Sequence, residues 1–229
     1  MILVSEARPI NGQLKNENAR PKTLRVLATV VSYLCHPVFF PLAMAFVLYK
    51  LAPVLFTGVA PKQLGLWFIS IGVTAVFFPL FSIGLMKPLG FISSFHMPTA
   101  RERTIPLMGT MIFYFWVSHV FNSMPGVPVP LVFKVFLLGN FWGIILLFLA
   151  NIFTKVSMHT AAAGGMIGVI IVLMISGTVN MAIPLIAVIA IAGIIGAARM
   201  ILGAHQRGDI WLGYAIGIVV QLAAYVFMK

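Results

Sequence analysis

The sequence predicts an all-α protein, namely a polytopic transmembrane helical bundle of six or seven spans. Hydrophobic residues make up 61% of the chain and charged residues only 8%. A soluble domain usually carries about 25% charged residues, so this chain has too few charges to form a water-exposed surface. Long apolar stretches recur without the alternation of a β-barrel, and helices are then the remaining way to cross a bilayer.

Seven apolar stretches are long enough to cross a membrane, because a spanning helix needs about 20 apolar residues. The first stretch contains His36-Pro37 and Pro41, so we expect a kink or a partly re-entrant segment there, and this leaves the count at six or seven. A turn rich in proline, residues 123–130, joins two of the stretches. The predicted spans are 26–49, 64–86, 106–122, 131–153, 160–178, 182–199 and 209–228.

Residues 1–25 form a polar, basic tail that precedes a single transmembrane domain, residues 26–229. The apolar stretch after the tail is longer than the core of a signal peptide, and no small-residue cleavage site is evident. We therefore expect the tail to lead directly into a first span.

The net charge of +11 reflects missing acids as much as abundant bases, because the chain has only four acidic residues. The bases form no continuous stripe, which argues against a nucleic-acid partner and favours contact with anionic membrane lipids. Cys35 is the single cysteine, so the sequence predicts no internal disulfide and no cysteine metal site. The sequence carries no signal for an oligomeric state.

Charge is concentrated in three segments of the apolar chain, residues 97–107, 154–165 and 198–213. Two predicted spans separate each segment from the next, so all three are expected on one side of the membrane. Ionisable residues near membrane helices are costly and tend to mark function, which favours one shared site over three unrelated loops. The candidates are Arg101, Glu102 and Arg103 in the first segment, Lys155, Ser157 and His159 in the second, and Arg199, His205, Arg207 and Asp209 in the third.

The third segment carries the sharpest signal. His205 and Asp209 are four residues apart, so on a helix they share a face. Asp209 can then accept a hydrogen bond from one imidazole nitrogen and raise the basicity of the other. Arg199 can bind two phosphate oxygens in a bidentate geometry. His159 can serve as a general acid for a leaving oxygen.

The remaining bases of the three segments predict a phosphoryl-transfer site without a metal. Lys155, Arg101 and Arg103 add positive charge beside Arg199, which would stabilise a phosphoryl transition state. The carboxylates are too few for a typical magnesium or calcium site, so we expect no metal and no other cofactor. Glu102 is interpreted as a charge partner that orients a neighbouring arginine.

Several polar residues are more simply interpreted as anchors. His36, His96 and His119 are predicted to be polar anchors at a membrane interface, and Lys87 and Arg207 to be topology determinants on the positive-inside rule. Two glycine pairs with GxxxG spacing, Gly164 with Gly168 and Gly213 with Gly217, predict close helix packing. The alternative interpretation is that these glycines line a substrate groove between the helices.

The third segment resembles the third motif of the type 2 phosphatidic acid phosphatase superfamily, SRxxxxxHxxxD, a superfamily that also includes the vanadium haloperoxidases. Arg199, His205 and Asp209 match its spacing, and Ala198 stands in place of the serine. The family's second motif, PSGH, is VSMH here, so its serine and histidine are kept while its proline and glycine are lost.

The family's first motif, KxxxxxxRP, is poorly kept. Arg101, Arg103 and Pro106 are present, but no lysine stands seven residues before an Arg-Pro pair, and Lys155 is the candidate to supply the missing charge. The resemblance covers about residues 97–217, and the order of the motifs also agrees.

The resemblance implies a role for each candidate. His205 would attack phosphorus and form a phosphohistidine, Asp209 would orient His205, and His159 would protonate the leaving group and later activate water. Phosphate would be bound by Arg199, Arg103, Arg101 and Lys155, with a hydrogen bond from Ser157. Members of this family dephosphorylate lipid phosphates or polyprenyl diphosphates.

The expected function is that of a metal-independent membrane lipid phosphatase, multi-pass in the inner (cell) membrane of a bacterium. A non-enzymatic lipid-phosphate binding or transport protein on the same scaffold is the first alternative, and a structural membrane protein is the second. The bases on the site's side of the membrane favour a cytoplasmic site. Bacterial relatives of the family commonly face outward, so the side of the membrane stays open.

Overall fold

The fold is an all-α bundle that crosses a membrane several times, as the sequence predicts. The computed structural model describes residues 21–95, 97, 99–177 and 179–229, and of residues 100 and 101 only the backbone. Most of the predicted tail (residues 1–20), the predicted anchor His96 and the side chain of Arg101 therefore lie outside the described residues. The described residues form helices and no strand.

Seven helical stretches of the described chain are long and apolar enough to span a membrane. Their bounds lie within about four residues of the predicted ones, which is the usual uncertainty of helix ends. They are Lys22–Leu51, Pro61–Met86, Glu102–Ser123, Leu131–Phe153, Met158–Ile175, Ala182–Ile201 and Arg207–Met228.

Two of the spans are divided, and the nine α-helices of the described chain are numbered in order. The first span contains α1 and α2, and the second contains α3 and α4. The helices are α1 Lys22–Leu34, α2 Phe40–Leu51, α3 Pro61–Ile71, α4 Phe78–Met86, α5 Ala100–Ser123, α6 Leu131–Phe153, α7 Met158–Ile175, α8 Ala182–Ile201 and α9 Arg207–Met228.

The predicted kink in the first span is confirmed. A short 3₁₀ turn, Pro37–Phe39, separates α1 from α2, and His36 caps it by accepting a hydrogen bond from the Val38 amide at 3.3 Å. In the second span a π-helical turn, Gly72–Phe77, lies just before Pro79. Pro79 has no N–H for the carbonyl four residues earlier, which explains the local irregularity.

Glu102 fixes the start of α5 rather than pairing with Arg103. Its carboxylate accepts from the amide of Thr99 at 3.4 Å and from the amide of Ser93 at 2.9 Å. The Thr99 hydroxyl accepts from the Glu102 amide in return, which completes a capping box. The carboxylate is engaged by backbone amides and is not described as paired with Arg103, whereas its predicted pairing with Arg101 falls on a side chain outside the described residues.

The close packing predicted for the GxxxG pairs is confirmed. A Cβ added to Gly164 would meet the Cα of Tyr214 at 2.9 Å, and one added to Gly217 would meet the backbone of Ala161 and Gly165. The backbones of α7 and α9 thus touch, which only glycine permits. This contact matters for function because α7 begins in the second charged segment and α9 begins in the third.

A cluster of buried aromatic side chains lies towards the end of the bundle opposite the charged segments. Trp67 stacks on Phe133 with ring centroids 5.7 Å apart, and Phe121 contacts both rings edge-on. Phe121 and Phe133 flank the predicted turn at residues 123–130, which joins α5 and α6. Such aromatic contacts fix that end of the bundle, while the other end opens into a cavity.

Candidate active site

The three charged segments meet at one end of the bundle, as counting the spans predicts. Arg103 of the first segment donates to the carbonyl of Val156 in the second at 3.5 Å. Asp209 joins the third segment to the second twice, by accepting at its carbonyl from the Ser157 amide at 3.3 Å and at its carboxylate from the Thr154 hydroxyl at 3.0 Å. Residues far apart in sequence therefore form one polar cluster.

A cavity of about 700 Å³ opens beside this cluster, within the size range of small-molecule sites. Four of the predicted site residues line its polar end, namely His205, His159, Arg199 and Arg103. Its walls continue between the helices along apolar side chains such as Leu107, Ile144 and Val220. The cavity can therefore accept a molecule with an anionic end and an apolar remainder.

His205 lies just before α9 and not on it, which differs from the shared helical face expected for His205 and Asp209. Its Nδ1 is 2.9 Å from the carbonyl oxygen of Lys155. A carbonyl only accepts, so Nδ1 carries the proton and Nε2 of the neutral ring keeps a free lone pair. The side chain is nearly buried and lines the cavity.

Asp209 is close to His205 but is bonded to other groups. Its Oδ2 is 3.9 Å from His205 Nδ1, too far for a hydrogen bond. The carboxylate accepts from the Gln206 amide at 3.0 Å, which caps α9, and from Thr154. The Lys155 carbonyl thus takes the place expected for Asp209 in fixing the tautomer of His205.

Burial lowers the pKa of His205 from its ordinary 6.5 to about 3, and the charges of Arg199 and Arg103 act in the same direction. Both effects disfavour the imidazolium. His205 is therefore neutral at physiological pH, with Nε2 available as a nucleophile or base.

The protonation of His205 can be followed by NMR with nitrogen-labelled histidine, using His205→Ala to assign the signal. We expect the ring to stay neutral, with the proton on Nδ1, down to about pH 4. Arg199→Gln should raise the midpoint, because it removes a positive charge that opposes protonation. A midpoint near the ordinary 6.5 in the wild-type protein would contradict this assignment.

Arg103 and Arg199 on the cavity wall form no salt bridge with a carboxylate among the described residues. Arg103 is 6% exposed and donates from Nε to the Met97 carbonyl at 3.1 Å. Arg199 donates from Nη1 to the Ser32 hydroxyl at 3.2 Å, and its buried Nε has no partner in the described part of the chain. Unbalanced buried cations are costly, and a bound anion would offset that cost.

Lys155 strengthens the positive field from beside the cavity. Burial lowers its pKa, the charges of Arg103 and Arg199 lower it further, and Asp209 opposes them. Lys155 is half-buried in the extended segment between α6 and α7, and it does not line the cavity. Its predicted contact with phosphate stays a prediction.

Ser157 and Asp209 are not among the residues that line the cavity. Ser157 is fully buried, and its Oγ accepts from the Thr160 amide at 3.4 Å as the N-cap of α7. Its predicted hydrogen bond to phosphate and the predicted role of Arg101 in binding phosphate stay predictions, whereas the predicted hydrogen bond between Asp209 and His205 is not formed. The side chain of Arg101 lies outside the described residues.

Sequence reasoning missed the first span as a wall of the cavity. His36, interpreted as an anchor, lines the cavity, and its ring lies 5.5 Å from that of His159 at 83°. Arg25, Thr29 and Ser32 line it too. Their spacing of four and three residues places them on one face of α1, a polar stripe that the sequence does display, and His36 follows just beyond the end of the helix.

Comparison with protein-family models, with curated proteins and with solved structures gives no match. The fold defines the class, a multi-pass all-α membrane protein. What it does must therefore be argued from the side chains of the cavity.

Proposed function

We propose that the protein is a metal-independent membrane lipid phosphatase that hydrolyses a lipid phosphate or polyprenyl diphosphate through a phosphohistidine at His205. The observation that carries the proposal is the state of His205. Its ring is neutral with a free Nε2 and lines a cavity together with Arg103 and Arg199, neither of which forms a salt bridge with a described carboxylate. The motif spacing of Arg199, His205 and Asp209 supports the same chemistry.

The reaction follows from these positions in two steps. The Nε2 lone pair of His205 attacks phosphorus, and the bond from phosphorus to the lipid oxygen breaks. Arg103 and Arg199 stabilise the charge on the phosphoryl oxygens. His159 enters the first step as an imidazolium, gives its Nδ1 proton to the departing oxygen, and then takes a proton at Nδ1 from the water that attacks the phosphohistidine, which frees His205 and phosphate.

The lipid part of the substrate is supported by the shape and lining of the cavity. Its apolar walls begin next to the charged end and run between helices that cross the membrane. A lipid can place its phosphate at His205 while its chain stays on apolar surface, which avoids moving the chain into water. A water-soluble phosphate ester would leave those walls uncovered.

A phosphatase screen of the detergent-purified protein tests the proposal. We expect phosphate release from at least one of phosphatidate, phosphatidylglycerophosphate and polyprenyl diphosphate, at a rate that a metal chelator does not change. No release from any of the three by a well-folded preparation would end the proposal. Release that stops when chelator is added would contradict the metal-independent mechanism.

A lipid-phosphate binding or transport protein is the second candidate. The observation that favours it is the 3.9 Å separation of His205 from Asp209, whose carboxylate is engaged elsewhere. Under this alternative the arginines hold the headgroup and no covalent step occurs. Headgroup binding that survives His205→Ala, in a protein without turnover, would favour it.

The membrane is proposed to be the inner membrane of a bacterium, on the resemblance alone. The last helix, α9, begins beside the site and ends at Met228, so Lys229 lies at the opposite end of the bundle. A reporter fused after Lys229 therefore identifies the side of the membrane opposite the site. A cytoplasmic reporter signal would place the site outside the cytoplasm.

A further inference from the structure

Ser32 of the first span contacts two predicted site residues at once. Its hydroxyl oxygen accepts from Arg199 Nη1 at 3.2 Å, and its carbonyl oxygen accepts from His159 Nε2 at 3.0 Å. These partners are 167 and 127 positions away in sequence and lie on two different helices. We propose that Ser32 is a positioning residue that holds Arg199 and His159 at the anion site, an inference that rests on the proposed function.

The contact with Arg199 fixes the direction of the guanidinium. Ser32 is 8% exposed, so the hydrogen bond lies in an environment of low dielectric, where it is stronger than in water. With Nη1 held by Ser32, rotation of the guanidinium plane would break a bond to a charged donor. The group is thereby pre-organised for an anion in the cavity, which Arg199 lines.

The contact with His159 selects its tautomer. The Ser32 carbonyl only accepts, so His159 carries a proton on Nε2, and Nδ1 is the nitrogen left for proton exchange with a ligand. His36, four residues further along the first span, places its ring edge-on to that of His159. The first span thus determines which nitrogen of His159 can act.

A local structural role explains Ser32 less well. Serine and threonine inside helices commonly donate to the carbonyl four residues earlier, as Thr29 does to the Arg25 carbonyl at 2.9 Å. Ser32 is instead described as the acceptor of a bond from another span. An interhelical bond to a cation at a cavity wall is what a positioning role requires.

Orthovanadate is the probe for the test, because it can adopt the five-coordinate geometry of a phosphoryl transition state. Its equilibrium binding is measured for wild type, Ser32→Ala, Arg199→Gln and the double variant, all purified in detergent. We expect Ser32→Ala to weaken binding between about tenfold and a hundredfold, the range for a lost hydrogen bond to a charged group. In the Arg199→Gln background the same change should have little further effect.

Ser118→Ala is the matched control. Ser118 is another buried helical serine whose hydroxyl accepts a side-chain bond, from Asn122 at 3.4 Å, and it does not line the cavity. The control should bind orthovanadate as wild type does. Both serine variants should unfold at temperatures close to that of wild type, so that lost binding in Ser32→Ala reports a misplaced Arg199.

The outcomes separate this proposal from the proposed function. Coupled effects of Ser32 and Arg199 on orthovanadate binding support the positioning role even in a protein that releases no phosphate from lipids. Wild-type affinity in Ser32→Ala, additive effects in the double variant, or no binding by wild type would each overturn it. Lipid turnover with an unaffected Ser32→Ala variant would leave the phosphatase intact and remove only the role of Ser32.

Discussion

Replacing His205 with alanine should lower kcat/KM for the preferred lipid substrate by at least about a thousandfold, because the covalent step loses its nucleophile. The neutral ring with a free Nε2 is the group in the cavity best prepared to attack phosphorus. The variant should fold, since the only described hydrogen bond of the His205 side chain is to the Lys155 carbonyl. The measurement is phosphate release at saturating and limiting lipid, with the melting temperature as a check on folding.

Arg207→Ala is the control for His205→Ala. Arg207 lies two residues further along the same segment and is the first residue of α9, but it is exposed and does not line the cavity. Its loss should change kcat/KM by no more than about threefold, as for most exposed residues outside a site. Equal losses from the two variants would contradict the role of His205.

A radiolabelled substrate gives an independent readout of the covalent step. Rapid quenching of wild type should trap an acid-labile phosphoryl group on the protein, and His205→Ala should trap none. A labelled His205→Ala protein would assign the nucleophile to another residue, and His159 and His36 are the other histidines on the cavity wall.

The spans could be predicted because crossing a bilayer requires about 20 consecutive, mostly apolar residues. The apolar stretch 131–153 matches α6 residue for residue, since the turn-rich residues 123–130 precede it and the polar second segment follows it. The sequence predicts spans that begin later than α5 and α9 do, because each of these helices opens with a polar first turn held by a capping box. The pairs that form these boxes are Thr99 with Glu102 and Gln206 with Asp209. All four residues are polar, so a hydropathy profile assigns them to a loop and not to a helix.

The convergence of the charged segments was also predictable, because it depends only on counting spans. The bond from His205 to the Lys155 carbonyl was not, because any backbone carbonyl can accept it and only the tertiary fold brings this one near. The role of Ser32 was equally hidden, since a single serine in an apolar span usually bonds within its own helix. The polar stripe of Arg25, Thr29 and Ser32 was the available signal in the sequence. It predicts that one face of the first span is polar, but it does not predict that Ser32 bonds to Arg199 and His159.

The position of His159 relative to His205 depends on how closely α7 and α9 approach. His159 is the second residue of α7, and His205 lies two residues before α9 begins. The two helices touch through glycines, so their spacing is set by backbone atoms and not by side chains that can adjust. A change in that spacing should therefore alter both stability and catalysis.

Gly164→Val should destabilise the protein by about 3 kcal/mol or more, the upper part of the range for overpacking a close contact. A Cβ at this position would meet the Tyr214 Cα at 2.9 Å and its carbonyl carbon at 3.0 Å, and backbone atoms cannot turn aside as a flexible side chain can. We expect a clear fall in melting temperature in detergent. Lipid turnover should fall at least about tenfold even where the variant is folded, because small misplacements of reacting groups are costly.

Gly193→Val tests whether that effect comes from the contact between α7 and α9. Gly193 lies within α8, is exposed, and has no atom within 4 Å of an added Cβ, so valine there meets open space. Its melting temperature and turnover should stay close to those of wild type. Similar losses from both variants would mean that valine is harmful in these helices generally. A loss confined to Gly164→Val would show that backbone contact between α7 and α9 sets the distance across which His205 and His159 must cooperate.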